Sequence, residues 1–138
     1  MKSMWPLLLA AWLVATLSTA GALFIGEVML IPPCNLCWYQ RIFMFPMAII
    51  LGFACFSDDR RGAVYALPFA LGGSALAAYH TLLVAGFIPK GWIPCDAAVS
   101  CADQKLEILD GIQIPWLSLF AFLATLFFLL IFLKKTSK

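Results

Sequence analysis

Two pairs of cysteines set this chain apart. Cys34 and Cys37 lie in the run Pro32-Pro33-Cys34-Asn35-Leu36-Cys37-Trp38-Tyr39-Gln40-Arg41, and Cys95 and Cys101 lie in a later polar stretch. A dithiol closes to a disulfide and reopens by thiolate attack through a mixed disulfide, so two pairs are most economically read as donor and acceptor in one electron relay. A helix beginning near Cys34 would place Cys34, Cys37 and Arg41 at i, i+3 and i+7, on a single stripe. A helix amino terminus and a nearby guanidinium both favour a negatively charged sulfur, so this pair is expected to be reactive. Read without its surroundings, the same CxxC also suits half a zinc site or an inert structural disulfide.

Other residues gain meaning from their position relative to this motif. Arg41 lies about 10 Å along the helix from Cys34 at roughly 1.5 Å per residue, a depth from which a guanidinium can polarise a quinone carbonyl or snorkel to lipid phosphates. His80, the chain's single histidine, falls at a similar depth near the outer end of an apolar span. There it is either a satisfied interfacial group or a second contact and proton donor to a quinone head group. Glu27 is either an internal partner for Arg41 or interfacial. Cys95 and Cys101 enclose five residues; a disulfide there closes a small ring of the labile kind that suits exchange. Cys55 lies among apolar residues with no sequence partner and reads as a buried hydrophobe, dispensable for turnover. Trp5, Trp12, Trp38, Tyr39, Trp92 and Trp116 fall mostly near span ends, where amphipathic rings anchor a protein at the membrane interface.

The elements that position these groups follow from composition. The chain has 138 residues, 64% hydrophobic and 12% charged, too few charges to clothe a water-soluble globule. A helix of about 20 apolar residues spans a bilayer core, and four stretches qualify, at about residues 4–29, 38–56, 63–87 and 114–133. They leave two outer segments, about 30–37 and 86–113, and no room for a separate soluble domain. The expected fold is therefore an all-α membrane protein, a single four-helix bundle. Lys2, Arg60, Arg61, Lys134, Lys135 and Lys138 fall on one side, against Arg41, Lys90 and Lys105 on the other. The positive-inside rule puts both termini in the cytoplasm and both cysteine pairs outside, in the compartment where disulfides persist. This assignment used no cysteine. The amino terminus also has signal-peptide features, but hydrophobicity continues past any cleavage point and removal would leave three spans in conflict with the charge rule. Pro32 and Pro33 end the first span, and residues 57–62 form a tight inner turn. In the second outer segment, residues 102–109 can form a short amphipathic helix, with Leu106 and Leu109 towards the membrane. The net charge of +2 follows from topology and gives no reason to expect a nucleic-acid partner.

The run Cys34-Asn35-Leu36-Cys37-Trp38-Tyr39-Gln40-Arg41, with Tyr79-His80 and with Cys95 and Cys101 in the second outer segment, resembles the DsbB family of thiol:quinone oxidoreductases (disulfide bond formation protein B) along the whole chain. Its short length and the wording of the motif are similar to the compact, BdbC-like form; longer members have a larger second outer loop with more widely separated cysteines. The resemblance implies a multi-pass enzyme of the cell membrane with its redox loops on the extracytoplasmic side. It implies that Cys95 and Cys101 oxidise a secreted or membrane-anchored thioredoxin-fold thiol oxidase of the DsbA/BdbD type. Cys34 and Cys37 then reoxidise that pair, with Cys101 returning to the CxxC, and a membrane quinone, menaquinone or ubiquinone, accepts the electrons beside Arg41. No metal ligand is expected among the site residues. Two other classes compete: a closed zinc site of Cys34, Cys37, Cys95 and Cys101, and a helical scaffold with structural disulfides.

Overall fold

A computed structural model of the chain describes residues 4–92 and 112–137. Cys95, Cys101, Lys105 and the expected surface helix over 102–109 lie outside these residues. The described chain forms α1 (Trp5–Leu23), continued by a π-helical turn (Phe24–Val28), then α2 (Asn35–Ser57), α3 (Arg60–Val84) and α4 (Ile114–Thr136). All four helices, α1 together with its π-turn, are long and apolar enough to cross a membrane. The chain is thus a multi-pass helical membrane protein.

Helix ends follow proline, glycine and turn chemistry more closely than hydropathy. α1 and α4 each carry proline in the first turn, where a missing amide hydrogen costs nothing. α2 begins at Asn35, three residues before the apolar boundary near 38, because hydropathy marks where lipid begins, whereas Pro32 and Pro33 mark where the preceding chain leaves the helical conformation. α3 stops at Val84, short of the expected 87, and Gly86 follows with φ of 86°, a conformation that glycine adopts freely. Between α2 and α3 the chain reverses through Asp58 in the left-handed region, and Asp59 caps α3 by accepting from Arg61 N at 2.9 Å.

Each helix packs on the next in sequence, and α1 closes the ring against α4. α3 turns a stripe of small residues inward, Ala63, Ala66, Ala70, Gly73 and Ala77, which lets helix backbones approach where lipid provides no hydrophobic drive between them. A Cβ at Gly73 would overlap the ring of Phe122 on α4. Large apolar side chains point outward instead: Leu17, Phe53, Phe56 and Phe120 are 70–78% exposed, as a lipid-facing surface requires.

Two contacts fix which helix ends share a side. Trp5 Nε1 donates to the Cys55 carbonyl at 3.0 Å, and Arg60 Nε donates to Thr136 Oγ1 at 3.2 Å. The start of α1, the α2–α3 turn and the end of α4 with Lys134 and Lys135 therefore meet at one end of the bundle. The CxxC motif lies at the other.

Candidate redox centre

Cys34 is the N-cap of α2, with extended backbone (φ −70°, ψ 168°), and its carbonyl accepts from Trp38 N at 3.1 Å. Cys37 lies in the first turn, and the two Sγ atoms are 3.4 Å apart in hydrogen-bond contact, close enough for side-chain rotation to join them. Cys34 is buried and Cys37 half-buried. The expected single stripe divides here. Cys37 and Arg41 border the same cavity, whereas Cys34 turns towards α3, because a non-helical cap does not continue the helical register.

Across from Cys34 is His80 of α3, fully buried, with Nε2 3.9 Å from Cys34 Sγ. Its Nδ1 lies 3.1 Å from Gln40 Nε2, and Gln40 Oε1 accepts from the Ser118 hydroxyl at 2.6 Å. An amide nitrogen only donates, so in this amide orientation Nδ1 accepts, and Nε2 is the ring nitrogen that faces the sulfur. The Cys37 thiol, the His80 ring and the Cys37 backbone amide all favour a thiolate on Cys34. Together they outweigh burial and hold the Cys34 thiol well below the ordinary thiol value of 9.0.

The cavity, about 230 Å³, opens between α1, the 31–33 link, α2 and α4, with Ser18, Cys37, Gln40, Arg41 and Ser118 as its polar lining. Arg41 Nη2 donates to the Ala22 carbonyl at 2.8 Å, and its guanidinium lies over the Trp38 ring, 5.4 Å from the centroid. Gly26 in the π-turn makes room for it: a Cβ there would lie 2.9 Å from Arg41 Nη2. Glu27 is exposed, and the guanidinium is held by Ala22 and Trp38.

Of the residues expected from sequence, Cys34, Cys37, Arg41 and His80 gather at one bundle end. His80 stands behind Cys34 and is not among the residues lining the cavity. Its depth was readable from its place along the span, but the direction it faces was decided by packing. Gln40, Ser118 and Gly26 were not singled out. The available signal was a polar amide and a hydroxyl within apolar spans, where such groups usually have a function. Cys55 is buried among apolar neighbours, as expected.

Fold and site together define a multi-pass helical membrane protein with a dithiol redox centre beside an apolar cavity. The family profile described as disulfide bond formation protein DsbB matches residues 3–132. A probable disulfide formation protein of Metapseudomonas resinovorans is 48% identical over 134 residues, covering 96% of this chain and 93% of the relative. Disulfide bond formation protein C of Bacillus subtilis (strain 168) is 40% identical over 131 residues, 94% of each chain. A probable disulfide formation protein of Coxiella burnetii is 37% identical over 122 residues, 87% of this chain and 82% of the relative. No solved structure matches the chain. The chain belongs to the DsbB family of membrane disulfide bond formation proteins, and its role is that of an oxidoreductase.

Proposed function

We propose that this protein is a dithiol:quinone oxidoreductase of the cell membrane, with its redox end on the extracytoplasmic side and both termini in the cytoplasm. It regenerates a DsbA/BdbD-like thioredoxin-fold oxidase and so sustains disulfide formation in exported proteins. The observation that carries this reading is that Cys37 and Arg41 border one apolar cavity at the end of the bundle that holds the CxxC motif. The placement of Arg60, Arg61, Lys134 and Lys135 at the opposite end supports the orientation through the positive-inside rule.

The cavity suits a quinone ring: its walls are largely apolar, with a guanidinium and a sulfur at its edge. A bound menaquinone or ubiquinone supplies an acceptor of two electrons and two protons. The partner's dithiol reduces the Cys95–Cys101 disulfide by exchange, and the resulting loop dithiol reduces Cys34–Cys37 in the same way. Closing the Cys34–Cys37 disulfide then releases two electrons and the Cys37 proton, and the second proton, lost to water when the Cys34 thiolate forms, would reach the acceptor from water. Arg41, held by Ala22 and Trp38, presents positive charge where negative charge develops on a carbonyl oxygen. His80 and the helix amino terminus hold Cys34 as a good leaving sulfur in exchange.

The test is anaerobic quinone reduction by purified protein supplied with a reduced thioredoxin-fold oxidase, using menaquinone and ubiquinone analogues. Cys34→Ser, Cys37→Ser and Cys95→Ser are expected to abolish turnover, and Arg41→Ala to weaken quinone use. Absence of quinone reduction by the unaltered protein with every partner and dithiol would overturn the proposal.

A further inference from the structure

The Sγ atoms of Cys34 and Cys37 and a ring nitrogen of His80 all lie within 4.8 Å of one another, so the reduced centre offers two sulfurs and one imidazole converging on a point. We propose that reduced Cys34 and Cys37, with His80, form a three-ligand site for Zn²⁺ or a similar soft divalent ion, and that this ion locks the centre in its reduced form. The proposal requires Cys34 and Cys37 to be reducible; it does not require turnover with a quinone.

Three physical points support the site. The first is size. Tetrahedral zinc with bonds of about 2.3 Å to sulfur and 2.0–2.1 Å to nitrogen separates neighbouring ligands by about 3.8 Å for two sulfurs and about 3.6 Å for sulfur and nitrogen. The observed separations are 3.4 Å between the sulfurs and 3.9 Å from Cys34 Sγ to His80 Nε2. An ion would draw the Cys34-to-His80 edge in by about 0.3 Å and part the sulfurs by about 0.4 Å, while the Cys37-to-His80 edge, within 4.8 Å, closes by rotation of the Cys37 side chain.

The second is charge. Two thiolates and a neutral imidazole around a divalent ion sum to zero, which limits the cost of burying an ion in a low-dielectric environment. Two sulfurs and an imidazole select zinc and its softer relatives over magnesium or calcium.

The third is support from behind. A ligating histidine usually donates its other ring N–H to a neighbour, which fixes its tautomer and orientation. Gln40 already touches Nδ1 and is anchored by Ser118. Turning its amide over exchanges Oε1 and Nε2, so that Oε1 accepts Nδ1–H and the Ser118 oxygen accepts from the amide nitrogen. The fourth position remains for water, the open arrangement of an exchangeable site. Binding displaces thiol protons to solvent and transfers no electrons. With both sulfurs ligated, neither can attack a disulfide or close one.

The test is anaerobic zinc titration of the phosphine-reduced, detergent-solubilised full chain against a chromophoric chelator, with no quinone or partner present. Failure of quinone turnover therefore leaves the result readable. The expected result is one Zn²⁺ per reduced chain and none in the oxidised chain. Cys95→Ser/Cys101→Ser should retain the ion, whereas Cys37→Ser should lose it. His80→Gln, with folding checked by circular dichroism, is expected to bind at least about 100-fold more weakly, since loss of a supporting partner alone costs 10–100-fold. Absence of zinc in the reduced chain, its loss in Cys95→Ser/Cys101→Ser, or equal affinity in His80→Gln would each overturn the proposal.

Discussion

Gly26→Ala tests whether the π-turn of α1 exists to seat Arg41. The added Cβ would lie 2.9 Å from Arg41 Nη2 and 3.4 Å from Nη1. Restoring an ordinary van der Waals contact moves the guanidinium by about 0.5–1 Å, away from the Ala22 carbonyl that it now meets at 2.8 Å. The contact is with the far end of a flexible side chain, so the fold has little to lose. Alanine in place of glycine also saves on the order of 0.5–1 kcal/mol of backbone entropy within a helix. Thermal stability in detergent is therefore expected to be unchanged or slightly raised. Catalysis is expected to suffer, because a misplacement of about 1 Å can cost as much as ~100-fold in rate. The assay is kcat/KM for a quinone analogue, measured beside the exchange half-reaction in which a reduced partner opens the Cys34–Cys37 disulfide. A fall of roughly 10- to 100-fold in the first with no change in the second is the expected outcome. The decisive comparison is the cycle with Arg41→Ala: if Gly26 acts through Arg41, Gly26→Ala adds nothing once Arg41 is removed. An equal loss in both backgrounds would refute the reasoning.

Further outcomes follow from the same geometry. The Cys34 thiolate of the reduced protein, followed by ultraviolet absorbance, is expected to be present at neutral pH and to disappear only as pH falls well below the ordinary thiol value of 9.0. Because this pKa is depressed, the thiolate's contribution to the stability of the reduced form is complete above the unfolded value of 9.0 and is lost as pH falls through the depressed folded value; a midpoint near 9 would contradict the site. Gly73→Ala forces a Cβ into the Phe122 ring and is expected to lower stability by about 1–3 kcal/mol, read by denaturation in detergent. Cys55→Ser leaves the backbone carbonyl that accepts from Trp5 in place, so quinone turnover should be unaffected.

What the sequence determined by itself was what depends on neighbours along the chain. Apolar runs specify membrane helices because every backbone polar group in lipid must be satisfied within its own segment. The Lys and Arg distribution separates the two ends, and the structure groups Arg60, Arg61, Lys134 and Lys135 accordingly. The CxxC spacing and the position of Arg41 one turn beyond Cys37 are local as well, so the thiol chemistry was readable before any fold was known. Tertiary structure decided which way these groups face. Cys34 and His80 are 46 residues apart and meet because α2 packs on α3; no helical period relates them. Gln40 and Ser118 join across 78 residues, and Gly26 matters through a guanidinium on another helix. Depth in the membrane is additive along a segment and therefore legible from one, whereas azimuth results from helices competing to bury Phe122, Gly73 and their neighbours, a choice made only when all four are present.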